Sequence, residues 1–201
     1  MVLRRILEEL RHHAPFTALG AAAGIALALL LPALSHDTAH RVFYVFHPLH
    51  VLLSAFVTTA MYRRYRPEAR QVWAAMGIGY AGSVLLGTLS DSLMPYLGEL
   101  FFRLPHAHAH VGFIEQWWIV NPAALVGVGL AFLLPRTKLP HAGHVLASTA
   151  ASLFHVLMAM EGRPGLFVYA GIFLLLFLAV WIPCCASDIA FPLLFVPKQK
   201  L

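Results

Sequence analysis

With 201 residues, 60% of them hydrophobic and only 11% charged, and a mean hydropathy of +0.75, the chain is too apolar for an ordinary soluble domain, whose charged share is about 25%. The net charge of +5 needs no nucleic-acid partner, because the Lys and Arg residues fall in short segments between apolar runs. The two cysteines, adjacent at 184 and 185, give no disulfide framework.

Six apolar runs follow in chain order, each predicted as a membrane helix: about 15–34, 47–62, 72–97, 117–135, 141–160 and 165–194. Helix is the expected state because lipid offers no partner to an open backbone amide. A basic arm carrying Arg4, Arg5 and Arg11 precedes the first run. That run is longer than the apolar part of a signal peptide, so it reads as a retained helix. A short loop with His36, Asp37 and His40 comes next.

The second run opens on His47 and His50, with Pro48 just inside its start, where a missing N–H costs nothing. Ser54 and Thr58 continue that polar stripe. The third run carries Ser90 and Asp91, with Pro95 four residues beyond the carboxylate. A His-rich segment at about 98–116 holds His106, His108 and His110 alternating with alanine, then Glu115. Trp117 and Trp118 begin the fourth run, as interfacial aromatics do. The fifth opens on His141 and His144 and continues with Ser148, Ser152 and His155. The sixth contains Pro183, Cys184, Cys185, Ser187, Asp188 and Pro192. Both thiols are read as inert packing, with soft metal ligands beside Asp188 as the alternative.

Eleven of the Lys and Arg residues fall on one side of this arrangement and three on the other. The positive-inside rule then places both termini in the cytoplasm, of a bacterial-type inner membrane or a plasma membrane, and the 98–116 segment outside.

Three strings recur in the same order. Residues 18–32 resemble 124–135, apolar runs ending in proline. Residues 47–54 and 141–148 share His-x-x-His-Val-Leu-x-Ser. Residues 89–95 and 186–192 share Ser-Asp-x-x-x-Pro. The expected fold is therefore an all-α integral membrane protein, one membrane domain over 1–201, built as two repeats at about 15–97 and 117–194. Three helices per repeat is an odd number, so the second must enter the membrane inverted.

Buried ionisable residues are costly in a membrane and mark candidate sites. His at i and i+3 share a helix face, and two imidazoles with a carboxylate suit a transition metal. The expected ligands are His47, His50 and Asp91 toward the outer face, with His141, His144 and Asp188 toward the inner face. Ser54, Thr58, Ser90, Ser148, Ser152, His155 and Ser187 are expected to line a path or support the ligands. His106, His108, His110 and Glu115 form an expected outer capture site. Ligand type alone does not separate zinc, iron and manganese.

The sequence contains no nucleotide-binding loop and no zinc-protease or serine-hydrolase motif, so ATP-driven transport by this chain alone is not expected. The expected function is a transporter or permease for a divalent transition-metal ion, with the lipid bilayer and the ion as partners and a homodimer allowed for. The alternatives are an intramembrane metal-dependent hydrolase acting on a lipid-like substrate and a haem-binding electron carrier.

Overall fold

The computed structural model describes the backbone of residues 2–30, 34–66, 71–134, 138–162, 165–186 and 190–196; within helices, the side chains of 2–10, 12, 13, 16, 27, 30, 138–141 and 185 are not described. The described residues are helical, joined by short loops, with no strand among them. In order they form α1 (Val2–Leu30), α2 (His36–Tyr65), α3 (Val72–Thr88), a π-helical turn (Leu89–Leu93), α4 (Met94–Phe101), α5 (Gly112–Glu115), α6 (Trp117–Leu133), α7 (Lys138–Ala159), α8 (Leu166–Cys185) and α9 (Phe191–Leu194).

Four stretches are long and apolar enough to cross a membrane: His36–Tyr65, Val72–Phe101, Ala142–Ala159 and Leu166–Cys184. Thr17–Ala26 and Trp117–Leu133 are shorter apolar helices. Burial is inverted relative to a soluble protein. His47, His50, Asp91, Glu99, His144 and His155 are all buried, while Trp73, Phe101, Leu133, Leu166 and Phe167 stand more than 70% exposed. A chain that hides its polar side chains and exposes its large apolar ones is shaped for lipid.

Helix α2 begins well before the expected start of the second run. Ser35 caps it, its hydroxyl accepting from the Thr38 N–H at 3.3 Å, and Asp37 lies in its first turn where the helix dipole favours a negative charge. His36 and His40 are therefore helical, not loop residues, and Pro48 sits well inside the helix. His47 and His50 lie roughly 17–21 Å along α2 from its first residue, at 1.5 Å per residue.

Helices α2 and α7 form the centre and run antiparallel: His36 meets the Met158 carbonyl, Phe43 meets His155, and His50 meets His144. Helix α6 packs on α2 and α3, where Val51, Val84, Val120 and Ala124 form one cluster. Helix α1 packs instead on α7 and α8, around Ala21, Leu153, Ile172 and Leu176. Gly127 lets α6 reach the backbone of α2; a Cβ there would run into the Leu52 carbonyl oxygen. Arg63, in the last turn of α2, donates to the Ala131 carbonyl at 2.7 Å and lies over the Phe132 ring, which ties the far ends of α2 and α6.

The break between α3 and α4 has a covalent cause. Pro95 has no N–H and its ring crowds the preceding turn, so the helix widens: the Met94 N–H donates to the Leu89 carbonyl, five residues back. The wide turn brings three consecutive residues, Ser90, Asp91 and Ser92, into the interior. In that register the Ser90 carbonyl faces a residue with no N–H to give. Ser152 of α7 supplies the missing donor at 3.1 Å. The end of α8 repeats the theme: π-type turns occur at Ala186 and Ala190, and α9 starts with Pro192 in its first turn.

Candidate metal centre

The centre forms around the Asp91 carboxylate, which is fully buried. Oδ2 lies 2.9 Å from His47 Nδ1 and 2.7 Å from His50 Nδ1. Oδ1 lies 2.7 Å from Ser90 Oγ and 2.7 Å from Ser148 Oγ. Two imidazoles and two hydroxyls thus surround one anion, and this donor set offsets its desolvation.

A carboxylate only accepts, so both imidazoles donate through Nδ1, and each in its neutral form keeps the Nε2 lone pair. This is the arrangement in which a carboxylate orients metal-binding histidines from behind. The sequence reading treats Asp91 as a ligand. Here both its oxygens are engaged, and it orients the His47 and His50 imidazoles.

His50 Nε2 faces the Cys184 thiol at 3.8 Å, and the His50 ring stacks on His144 with centroids 5.6 Å apart and planes at 21°. Ligand atoms of His50, His144 and Cys184 all lie within 4.8 Å of one another, and all three residues are buried. His47 Nε2 is also buried and has no hydrogen-bond partner among the described residues. The His47 ring lies flat against Phe43, with centroids 5.2 Å apart, and abuts Gly112, where a Cβ would fall 2.6 Å from Nε2. The stacked His50 and His144 rings leave no room between them for a porphyrin held by facing axial imidazoles.

The sequence places the two His pairs at opposite mouths; the structure packs His144 and Ser148 onto His50 and Asp91. The reason is depth: α2 extends beyond the expected start of its span, so its pair sits well inside the bundle. Ser148 donates across to α3–α4 and not to its own helix; Thr149 is the residue that bonds back, to the Val145 carbonyl at 2.8 Å. Ser54 and Thr58 are buried on α2, one and two turns beyond His50. The His141 side chain, Ser187 and Asp188 lie outside the described residues.

A second buried pair was not singled out in the sequence. Glu99 Oε1 accepts from His155 Nδ1 at 2.7 Å, with both residues at most 1% exposed, and Glu99 Oε2 has no partner among the described residues. The same logic leaves a lone pair on His155 Nε2, which receives a long contact of 3.5 Å from the His110 N–H. Phe43 stands between this pair and the centre, its ring 5.4 Å from His155 and 5.2 Å from His47. The available signal was spacing. Asp91, Pro95 and Glu99 fall at i, i+4 and i+8, and Glu99 is the second acidic residue of that stretch.

A third set lies in the 102–116 connection. His108, His110 and Glu115 place ligand atoms within 4.8 Å of one another. Glu115 faces His110 Nδ1 at 3.1 Å and accepts from Tyr44 Oη at 2.7 Å and the Val111 N–H at 2.9 Å. Partial burial lowers the titration of His110, against the pull of Glu115. Burial also acts to raise that of Glu115, but the bonds from Tyr44, His110 and Val111 outweigh it and hold the carboxyl below its usual range. His40 stacks edge-on to His110 with centroids 5.5 Å apart, and to Tyr44 at 4.8 Å. His106 does not join this set; it is exposed and faces Glu161 at 3.8 Å.

No family model, curated protein or solved structure matches this chain.

Proposed function

We propose that the chain is a membrane permease for a divalent transition-metal ion, built from two inverted three-helix repeats whose contact forms the central binding site. The carrying observation is that His50 and His144, equivalent residues of the two recurring strings, stack on each other in the interior. A residue that touches its own counterpart lies near the axis relating the copies.

Other features support the same relation. Helices α2 and α7 are antiparallel, the first helix of each repeat packs on the other repeat, and each Ser-Asp-Pro string coincides with π-type turns and a short proline-led helix. Interrupted helices meeting near the bilayer midplane at a repeat interface are a recurrent design for alternating-access sites. The Asp188 string would supply the counterpart of Asp91.

The geometry supports an entry route. The His108, His110 and Glu115 set captures the ion, the Glu99–His155 pair receives it, and His47 leads to the centre. The Lys and Arg distribution puts that capture set outside and both termini in the cytoplasm. The ion is cargo, so the site must bind it and release it.

Purified protein in liposomes loaded with a metal-responsive dye tests the proposal. Zinc, iron(II) or manganese uptake should exceed that of empty liposomes and fall to background in Asp91→Asn. Equal flux in the two proteins would overturn it.

A further inference from the structure

We infer that Cys184 is a direct ligand of the central site, and that the site therefore selects borderline or soft cations, zinc foremost, over manganese. This rests on the reading of the cluster as a metal site and deepens it by naming the class of ion.

Three observations carry the inference. The first is distance. Bonds of ~2.0–2.1 Å to nitrogen and ~2.3 Å to sulfur at a tetrahedral angle set N and S about 3.6 Å apart. Cys184 Sγ and His50 Nε2 lie 3.8 Å apart, so an ion can sit between them with little movement of either side chain. The second is convergence: His144 brings a third ligand atom within 4.8 Å of both, from a different helix. The three come from α2, α7 and α8, which rules out a chance neighbour pair on one helix face.

The third observation concerns what the site does not offer. Manganese and magnesium prefer oxygen ligands. The one carboxylate at the described centre already receives two imidazoles on Oδ2 and two hydroxyls on Oδ1. Presenting an oxygen to an ion would mean breaking a bond to a buried donor. The donors that converge are one nitrogen each from His50 and His144 and the Cys184 sulfur, a set that suits zinc among the common divalent ions. Charge agrees: a Cys184 thiolate together with the Asp91 carboxylate balances a divalent ion in a buried site.

The test uses cobalt(II) as a coloured stand-in for zinc, on full-length protein carrying His108→Ala and His110→Ala to silence the loop set. Cobalt bound through a thiolate shows a sulfur-to-metal charge-transfer absorption in the near ultraviolet that nitrogen and oxygen ligands do not give. We expect this absorption with the Cys184 protein, its displacement by zinc and its persistence in excess manganese. Cys184→Ser should bind cobalt without the absorption and lose zinc affinity by on the order of 100-fold. If the serine variant does not fold, Cys185→Ser decides: the absorption should persist in it, and its loss there would overturn the role of Cys184. Cobalt bound without a thiolate absorption overturns the role of Cys184 and leaves the metal reading standing. Displacement of cobalt by manganese as readily as by zinc overturns the selectivity. Failure to bind cobalt or zinc at all overturns both the inference and the reading on which it rests.

Discussion

The Asp91 centre and the 102–116 connection draw on the same side-chain types, imidazole and carboxylate, yet they are different chemical objects. In the centre each imidazole of α2 is locked by a bond from Nδ1 to one buried oxygen, so direction and tautomer are fixed. In the connection the carboxylate of Glu115 is about a third exposed, and His110, only partly buried, meets it through Nδ1 at the longer distance of 3.1 Å. Preorganisation, more than side-chain identity, separates the two sets.

The largest effect that separates the two should come from Asp91→Asn. Leaving two buried imidazoles without their anion should cost about 3–5 kcal/mol of stability. Thermal unfolding in detergent would register it, while metal binding by the loop set should persist. A variant as stable as the parent would mean that the buried donors find other partners, and the contrast between locked and loose would fail. Gly112→Ala comes next. Its methyl would sit 2.6 Å from His47 Nε2, so the loop must lift, at a cost of about 1–3 kcal/mol. Unfolding midpoints should fall, and a parent-like midpoint would show that the connection is not seated on the centre.

His110→Ala should weaken metal binding at the loop set by about tenfold or more and leave the central site unchanged, as read by calorimetry in the presence and absence of Cys184→Ser. The pH dependence sharpens the same point. Protons compete with metal at His110 only once it is protonated, and burial moves that event below 6.5. The part of loop binding that His110→Ala removes should therefore hold to lower pH than an ordinary imidazole allows, and then fall. A His110-dependent loss centred at or above 6.5 would contradict the partly buried position of His110. The smallest change is expected for His106→Ala, within about 0.5 kcal/mol, because an exposed pair with Glu161 contributes little.

The sequence made the helices and the chemistry of α2 legible, because apolar run length and His spacing are local signals. What it could not supply was depth. Taking His47 as the start of a helix put the pair at a mouth; the Ser35 cap, twelve residues before His47, moves it inside. The meeting of His50 with His144 depends on how two helices cross, which no local pattern encodes. Cys184 looked like packing for the same reason, since its meaning comes from a histidine 134 residues away. Glu99 was hidden by its position at the end of an apolar run, where a carboxylate is usually solvated. His106 went the other way: the alternating His-Ala pattern suggests three equivalent ligands, but an extended strand is needed for that equivalence and the chain turns instead.

Phe43 imposes its own condition on any traffic between the Glu99–His155 pair and the centre. A hydrocarbon ring with imidazoles about 5 Å away on two sides offers a cation its electron-rich face, worth roughly 0.5–2 kcal/mol, and no lone pair to replace a lost water. The pace of the proposed passage would then be set by how often one aromatic side chain swings out of the way, making a single torsion angle its turnstile.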